Sequence, residues 1–193
     1  MPNPSTRDLI VETADALFYR NGFEATSFAD IAADLSISRG NFYHHFKTKD
    51  DILAAVIDLR LTRTRSMLED WAQTDADPRA RILSFIRILI VNRAKIMAYG
   101  CPVGTLSSEL AKLDHDAQGR ATAIFALFRD WLADQFRALG AGPRAEMLAL
   151  HLLGRSQGVA ALATAFRDEA IIRHEVDQIE DWLSLLTEPT AAS

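Results

Sequence analysis

Apolar residues recur at spacings of three and four along nearly the whole chain, which is the pattern of one buried face of an α-helix. No segment alternates convincingly between apolar and polar residues, as a half-buried β-strand does. Three apolar runs begin after a serine or threonine that is followed three residues later by aspartate, a pair typical of helix starts. These patterns predict an all-α fold of about nine helices.

The predicted helices are short in the first fifty residues and longer afterwards. Their starts are marked by Ser5 with Asp8, Ser27 with Asp30, Ser38, Thr48 with Asp51, Pro78, Pro102 and Pro143. The predicted helices cover 5–22, 27–35, 38–46, 48 to the low 70s, 78–99, a short one after Pro102, 116–139, 143–166 and 171–186. The change in character near residue 50 predicts two domains, residues 1–50 and residues 51–193.

Composition places limits on the class of protein. The chain has 193 residues and 49% hydrophobic content, enough to bury a sizeable core. Its single cysteine excludes an internal disulfide framework and a four-cysteine zinc site. The first residues lack the pattern of a signal peptide, and the most apolar stretch, ILSFIRILIV, is short and interrupted by Arg87. We therefore expect a soluble cytoplasmic protein with no membrane partner.

The segment SISRGNFYHHFKTKDDIL, residues 36–53, contains the most informative predicted helix. At about 100° per residue, Phe42 and Phe46 share one face of this helix. The opposite arc consists of Arg39, Gly40, Tyr43 and His44, flanked by Asn41 and His45. A polar arc opposite two phenylalanines predicts a helix that is packed on one side and exposed on the other.

Two features of that segment favour DNA as its partner, although the net charge of the chain is −5. Residues 36–49 contain Arg39, Lys47 and Lys49 and no acid, which is a local charge of +3. Gly40 costs about 1 kcal/mol of helix propensity relative to alanine, and its lack of a side chain permits close approach to a groove. The lysines and the N–H groups at the start of the next helix are suited to phosphate contacts.

Other classes of function fit parts of the same pattern. A short helix-turn-helix is common in all-α proteins, so the exposed helix also fits an adaptor that binds another protein. A helical hydrolase that uses Cys101 with a distant histidine is a further alternative. The five histidines show no metal-ligand spacing, and no serine or cysteine lies in a nucleophile motif. We therefore expect no catalytic residue, no metal, no cofactor and no enzymatic activity.

The run FYRNGFEATSFADIAADLSISRGNFYHHFKTKDDIL, residues 18–53, resembles the N-terminal helix-turn-helix domain of the TetR/AcrR family of transcriptional regulators. The resemblance covers about residues 5–55. It implies a one-component repressor with a DNA-binding domain, a divergent helical domain that binds a ligand and dimerises, and release from a palindromic operator when a small-molecule inducer binds. Regulators that activate transcription are an alternative within the family.

By the family pattern, the residues expected to contact double-stranded DNA are Ser27, Ser38, Arg39, Asn41, Tyr43, His44 and Lys49, with Gly40 added from the helix geometry. This sequence departs from the family pattern at two of its positions. Ser36 stands where the family usually has glycine in the turn, so we expect a slightly different backbone there. Asn41 replaces a small residue, which is expected to change the base preference.

The last two predicted helices carry the pattern of a homodimer interface. The helix over 143–166 is apolar or small nearly all round, which indicates burial on two sides. The residues expected at the interface are the small stripe Gly154, Gly158, Ala161 and Ala165, and the seam Ile172, Val176, Ile179, Leu183 and Leu186. The alternative is that both helices pack only on their own subunit.

The ligand pocket is expected among large or polar residues of the middle helices. The candidates are Met67, Trp71, Phe85, Leu89, Met97, Cys101, Phe125, Phe128, His151 and Arg155. Each of them also fits ordinary core or solvated surface, and His151 fits a hydrogen-bonded core histidine. The resemblance leaves the chemistry of the ligand open, and a non-covalent apolar ligand is one class.

The segment YGCPVGTLSSEL supports a second class of ligand. Cys101 directly precedes a predicted helix start, where N–H groups and the helix dipole favour a thiolate. The spacing GC-x-x-G-x-L-x-x-E-L resembles a TetR subgroup that includes regulators responsive to electrophiles and oxidants. Cys101 is therefore a candidate sensor, against the alternative that it is a small buried hydrophobic residue.

Overall fold

The computed structural model of the chain describes residues 4–187, except for the side chains of Arg39 and Thr187. The described part contains α-helices and no strand, as predicted. The helices are α1 Thr6–Asn21, α2 Phe28–Asp34, α3 Arg39–His45, α4 Lys49–Thr74, α5 Pro78–Val91, α6 Arg93–Tyr99, α7 Pro102–Lys112, α8 Gln118–Ala138, α9 Ala145–Phe166 and α10 Glu169–Thr187, with a short 3₁₀ turn at Gly142–Arg144.

The predicted helix starts in the N-terminal part are confirmed by their hydrogen bonds. Ser5 and Ser27 each accept from the backbone N–H three residues later, while Asp8 and Asp30 accept from the cap residues in return. Thr48 and Asp51 exchange the same pair of bonds, at 2.9 and 3.0 Å. Each box satisfies N–H groups that lack a partner inside the helix.

One predicted helix is divided in two. The expected helix over 78–99 breaks at Asn92, which has φ −99° and ψ 11° and ends α5. The carbonyl of Ile88 accepts from the side-chain amide of Asn92 at 3.1 Å in addition to the Asn92 backbone N–H at 3.0 Å. This break is why the described part has ten α-helices where nine were expected.

The chain divides into two compact units that are each discontinuous in sequence. Unit 1 takes the chain up to Arg65 together with Pro102–Phe125, and unit 2 takes Ser66–Cys101 together with the chain from Ala126 onward. These packing units follow a different division from the predicted functional domains 1–50 and 51–193. Helix α7 and the start of α8 therefore pack with the N-terminal helices.

Unit 1 has one hydrophobic core around α1 to α4. Ile10, Ile31 and Phe42 are at most 1% exposed, and Leu106 and Leu110 of α7 pack into the same cluster. In unit 2, α10 packs against α5 and α9, and α6 packs against α9. The buried pair Phe85 and Phe128, with ring centroids 5.5 Å apart, lies in that second unit.

Candidate nucleic-acid interface

The α2–turn–α3 segment forms a helix-turn-helix in unit 1. The turn satisfies the end of α2 through two backbone bonds: Ser36 N–H donates to Ala33 at 3.1 Å, and Ile37 N–H donates to Ala32 at 3.2 Å. This double bond pattern is a Schellman motif, which places one residue in the left-handed region. Ser36 occupies that position with φ 54°, so the turn keeps the left-handed backbone that glycine favours.

Helix α3 is packed on one side and exposed on the other, as its sequence indicates. Phe42 is 1% exposed and Phe46 is 3% exposed, and both belong to the core of unit 1. Four of the expected DNA-contacting residues lie exposed on α3: Gly40, Asn41, Tyr43 and His44. The side chain of Arg39, a fifth candidate, lies outside the described part, although its backbone begins α3.

Tyr43 combines a fixed ring with an exposed surface. Its ring packs edge-on against Phe28 at 5.5 Å and against Phe42 at 6.2 Å. The residue is nevertheless 45% exposed. An amphipathic ring held in this way is suited to a contact made through its polar end.

Gly40 has no packing role among the residues that the structure describes. It lies within α3 with an ordinary helical φ, and a Cβ built there would have nothing within 4 Å. A glycine in a helix is destabilising relative to alanine, and no contact with a described residue explains its presence here. The open space beside Gly40 therefore fits close approach of something outside the chain.

The two candidate serines serve as helix caps. Ser27 donates its hydroxyl to Asp30 at 2.6 Å, and this bond is the main cause of a lowered pKa for the Asp30 carboxyl. Ser38 accepts from the N–H of Asn41 at 3.3 Å and so begins α3. Both serines lie at N-termini, where backbone N–H groups favour anions.

The two lysines after α3 were expected to bind phosphate, but in the structure the ammonium group of each donates to backbone carbonyls. The Nζ of Lys47 donates to the carbonyl of Tyr43 at 2.5 Å, at the C-terminal end of α3. The Nζ of Lys49 donates to the carbonyls of Phe23 and Glu24, at 3.1 Å each. Lys49 is thus committed to the turn between α1 and α2, a contact with no signal in the sequence because its partners lie 25 and 26 residues away.

The structure brings together only part of the expected ligand pocket. Phe85, Leu89 and Phe128 are buried, and Met67, Trp71, Met97 and Cys101 are partly buried in unit 2, as Phe125 is in unit 1. Trp71 pairs with Trp131, at 5.7 Å between ring centroids. The large apolar candidates therefore contribute to helix packing.

The two polar pocket candidates are on α9, and each of them contacts a residue of α10. His151 is exposed, with its ring 5.2 Å from that of Trp182, instead of lying in the core. Arg155 is ion-paired with Glu175 at 2.8 Å. The apolar run around His151 suggested burial, but α9 also has an apolar outer face, and the histidine lies on that face.

A groove that the sequence did not indicate lies between α8 and α9 of unit 2. It has a volume of about 590 Å³, and none of the ten pocket candidates lines it. Its lining consists of Arg129, Asp130, Ala133, Asp134, Arg137, Glu146, Met147 and Leu150. Arg137 pairs with Asp134 on the same helix at 2.5 Å and with Glu146 across the groove at 3.0 Å, so the charges of the lining are largely compensated.

The expected dimer residues fall into two groups. Gly154, Gly158, Ala161 and Ala165 are exposed on α9, in one stripe with Met147, Leu150, Leu162 and Phe166, which are 49–68% exposed. On α10, Ile172, Val176, Ile179 and Leu183 are at most 4% exposed, and Leu186 is partly buried. Four of these five residues are therefore buried within the chain, where α10 packs against α5 and α9, and a role of α10 in the dimer stays a prediction.

Two other kinds of site are absent from the residues that the structure describes. Among them, no group of three or more histidine, cysteine, aspartate or glutamate residues could hold a metal ion. In the same part of the chain, no helix combines the length and apolarity needed to span a membrane.

The helix-turn-helix region matches a protein-family model. Residues 10–56 match the model described as bacterial regulatory proteins, tetR family. This range includes α2, α3, the turn between them and the first residues of α4.

Curated proteins and solved structures extend the similarity to nearly the whole chain. An HTH-type transcriptional regulator encoded in the lacX 3′ region of Lactococcus lactis is 27% identical over 180 residues, covering 91% of this chain and 92% of the relative. The HTH-type transcriptional repressor Rv3405c of Mycobacterium tuberculosis is 36% identical over 97 residues, about half of each chain. The crystal structure of a TetR transcriptional regulator from Legionella pneumophila has a TM-score of 0.81 at 26% identity, covering 93% of this chain and 99% of that one.

Proposed function

This chain belongs to the TetR family of bacterial transcriptional regulators, and from that premise we propose that it is a repressor that binds a palindromic operator as a homodimer and is released by a small-molecule inducer. Its relatives and its fold are those of transcription regulators and not of enzymes. The proposed repressor acts in the cytoplasm, where its operator is accessible.

The single observation that best supports DNA as the partner is the exposed face of α3. That face presents Asn41, Tyr43 and His44 around the open space at Gly40, and it lies in a fourteen-residue stretch, 36–49, without an acidic side chain. A helix with a polar outer face and room for close approach fits the major groove. The helix start at Ser38 adds backbone N–H groups suited to phosphate.

The homodimer is supported by α9. Gly154 and Gly158 are helical and exposed, and a Cβ on either would meet nothing within 4 Å. The apolar side chains of Leu162 and Phe166 extend the same face. Such a stripe on a long helix fits the close packing of a symmetric partner helix.

DNA binding is tested on a duplex recovered by the wild-type protein from a random pool, with an unselected duplex as comparison. Tyr43→Phe removes one hydroxyl and leaves the ring packing, so it should weaken binding to both duplexes by about 0.5–1.5 kcal/mol. Arg39→Ala should cost about 1–3 kcal/mol on the selected duplex and relax one position of it. Equal losses on both duplexes for Arg39→Ala would show that this residue reads no base.

The recovered duplexes should be palindromic, with half-site centres roughly 34–36 Å or a multiple of that distance apart, since each protomer of a symmetric dimer presents one α3. Sedimentation at micromolar concentration gives the stoichiometry. A monomer that binds the whole site tightly would contradict the dimer model.

Release by an electrophile is supported by the surroundings of the residue that follows Cys101. The carbonyl of Pro102 accepts from Nη1 of Arg60 at 2.6 Å, and Nε of Arg60 donates to Asp15 on α1 at 2.6 Å. Arg60 is 8% exposed, so this ion pair is largely shielded from water. Modification of Cys101 would therefore disturb the neighbouring Pro102, whose carbonyl is linked through Arg60 of α4 to Asp15 of α1.

N-ethylmaleimide is the reagent that tests this release. The thiolate adds to its double bond, a carbon–sulfur bond forms, and water protonates the neighbouring carbon. Cys101→Ser should leave duplex affinity intact and abolish release by the reagent in a gel-shift titration. Equal release of both proteins would remove Cys101 from the mechanism, and no release of either would favour a non-covalent apolar ligand.

Repression is tested by deleting the gene and following a reporter under the recovered operator. Repression predicts that reporter expression rises in the deletion strain. A fall in expression would identify an activator.

A further inference from the structure

The turn between α1 and α2 is held on two sides by charged side chains from other helices of unit 1. The N–H groups of Phe23 and Glu24 both donate to the carboxylate of Glu109 on α7, at 2.9 Å each. The carbonyls of the same two residues accept from Nζ of Lys49, the first residue of α4, at 3.1 Å each. Two helices, α4 and α7, are therefore bonded to one two-residue segment between α1 and α2.

One peptide group within this segment is bonded at both of its ends. The carbonyl of Phe23 and the N–H of Glu24 belong to the same planar trans amide, in which the two groups point in opposite directions. The Lys49 ammonium and the Glu109 carboxylate consequently lie on opposite sides of it, and both bonds are charge-assisted. The two charges polarise the amide in the same direction, so each bond strengthens the other. We call this arrangement the amide clamp.

The side chain of Phe23 is fixed as firmly as its backbone. It is 2% exposed, and Nζ of Lys49 lies 4.4 Å from its ring centroid, within cation–π range. The rings of Phe18 and His115 pack edge-on against it, each at 5.3 Å. Lys49 therefore contacts the turn through both its carbonyls and an aromatic face.

The residue before the clamp leaves room for the carboxylate. Gly22 ends α1 with φ 91°, and a Cβ there would lie 3.0 Å from Oε1 of Glu109. A side chain at position 22 would thus be strained in its backbone and would crowd the carboxylate. The glycine serves the helix end and the clamp together.

The clamp brackets the helix-turn-helix along the chain. Phe23 and Glu24 come before α2, and Lys49 comes directly after α3 and its connection. We propose that Glu109 and Lys49 are positioning residues for DNA binding, which fix both ends of the helix-turn-helix to α7, and that Lys49 acts through the amide clamp and not through a phosphate. This inference rests on the proposed DNA-binding function.

The test compares Glu109→Gln and Lys49→Met on the duplex recovered by the wild-type protein, over a series of salt concentrations. Glutamine retains one acceptor oxygen but turns an NH₂ group towards an N–H, and methionine retains the apolar stem of lysine without its donors. Each variant should lose about tenfold in affinity, because a smaller fraction of molecules has the binding geometry. The slope of log affinity against log salt concentration should not change.

The salt slope separates the clamp from the phosphate contact that the family pattern implies for Lys49. Each phosphate contact contributes about 0.9 to the slope, so loss of one contact in each protomer of the proposed dimer reduces its steepness by about 1.8. A reduction of that size for Lys49→Met would overturn the proposed role. Because both side chains act on one peptide group, the double variant should lose about as much as the weaker-binding single variant, and additive losses would contradict the clamp.

Asp58→Asn is the matched control. Like Glu109→Gln, it removes one negative charge from unit 1. The ion pair that it breaks, between Asp58 and Arg120 at 2.7 Å, joins side chains that are 64% and 50% exposed. Such a pair contributes little, so this variant should bind like wild type. Circular dichroism and thermal unfolding establish that each variant is folded at the assay temperature.

Amide hydrogen exchange of the wild-type protein tests the clamp even if a variant does not fold. The N–H groups of Phe23 and Glu24 should exchange slowly for turn residues, and exchange at the rate of an open turn would overturn the inference. The outcomes also separate the two proposals. A wild-type protein that selects no duplex contradicts the proposed function, whereas wild-type affinity in folded Glu109→Gln contradicts the clamp alone.

Discussion

Helices α3 and α9 both carry glycines at exposed helical positions that have open space around them in the described part of the chain. Around Gly40 of α3, and around Gly154 and Gly158 of α9, a Cβ would meet nothing within 4 Å. Glycine lowers helix stability at such positions, and packing against the described residues does not offset that loss in either helix. In both helices, the glycines fit a close approach by a second molecule.

The surroundings of these glycines differ in length and polarity. Helix α3 has 7 residues, and its exposed face has polar groups at Asn41, Tyr43 and His44. Helix α9 has 22 residues, and its exposed stripe carries Leu162 and Phe166, at 49% and 68% exposure. The polar face of α3 suits the hydrated, charged major groove of DNA, and the apolar face of α9 suits another apolar helix. The same residue type thus has a different meaning according to its neighbours.

The largest expected effect comes from a charge on the apolar face. Gly158→Arg places a cation where the proposed partner helix packs, and the dimer dissociation constant should rise on the order of a hundredfold. Analytical ultracentrifugation measures it. The control is Gly119→Arg, the same change at an exposed helical glycine of α8 that also has open space around it. Equal dimerisation of both variants would refute the α9 interface.

A smaller change on α3 should separate stability from function. Gly40→Ala adds a methyl group in open space, so the free energy of unfolding should rise by about 1 kcal/mol. Affinity for the selected duplex should fall by about tenfold, because the methyl group hinders close approach. Chemical denaturation and fluorescence anisotropy give the two quantities. A variant that gains stability and keeps full affinity would show that DNA does not approach this position.

Ser36→Gly, which introduces a glycine in the turn, should raise stability without changing DNA affinity. Ser36 has φ 54°, where a side chain is strained, so Ser36→Gly should raise the free energy of unfolding by about 0.5–1 kcal/mol. Its duplex affinity should stay that of wild type, since the change leaves the turn geometry as it is. Denaturation curves read at constant m-value provide the measurement, and destabilisation would argue against strain at Ser36.

The smallest expected effect is on the pH dependence of the free energy of unfolding. The Ser27 hydroxyl and backbone N–H lower the pKa of Asp30, whereas α9 begins without a side-chain cap. A lowered folded pKa means that the stabilisation is present above the unfolded pKa of about 3.9 and is lost as the pH falls through the folded value. Asp30→Asn should therefore be less stable than wild type at neutral pH, and the difference should shrink below about pH 4. Denaturation at several pH values measures this, and a difference independent of pH would exclude the carboxylate as its cause.

Lys49, Glu109 and the α10 seam mark where sequence reasoning reached its limit. The capping residues and the faces of α3 follow from spacing, because residues within about two turns of a helix determine them. The partners of Lys49 and Glu109 are 25 to 86 residues away, and no local pattern indicates them. The α10 seam was identified correctly as an apolar face, but periodicity cannot distinguish burial within the chain from burial against a second copy.

The sequence by itself determined the all-α class, the helix starts in the N-terminal part, the packed and open faces of α3, and the family, since each depends on residues close together in the chain. Only the tertiary structure decided that α7 packs with the N-terminal helices, that His151 lies on the outside of α9, and that Lys49 donates to the turn between α1 and α2. The physical reason is that a side chain's partners are set by which distant segments fold against it, and the loop closures that bring those segments together leave no periodic trace in the sequence.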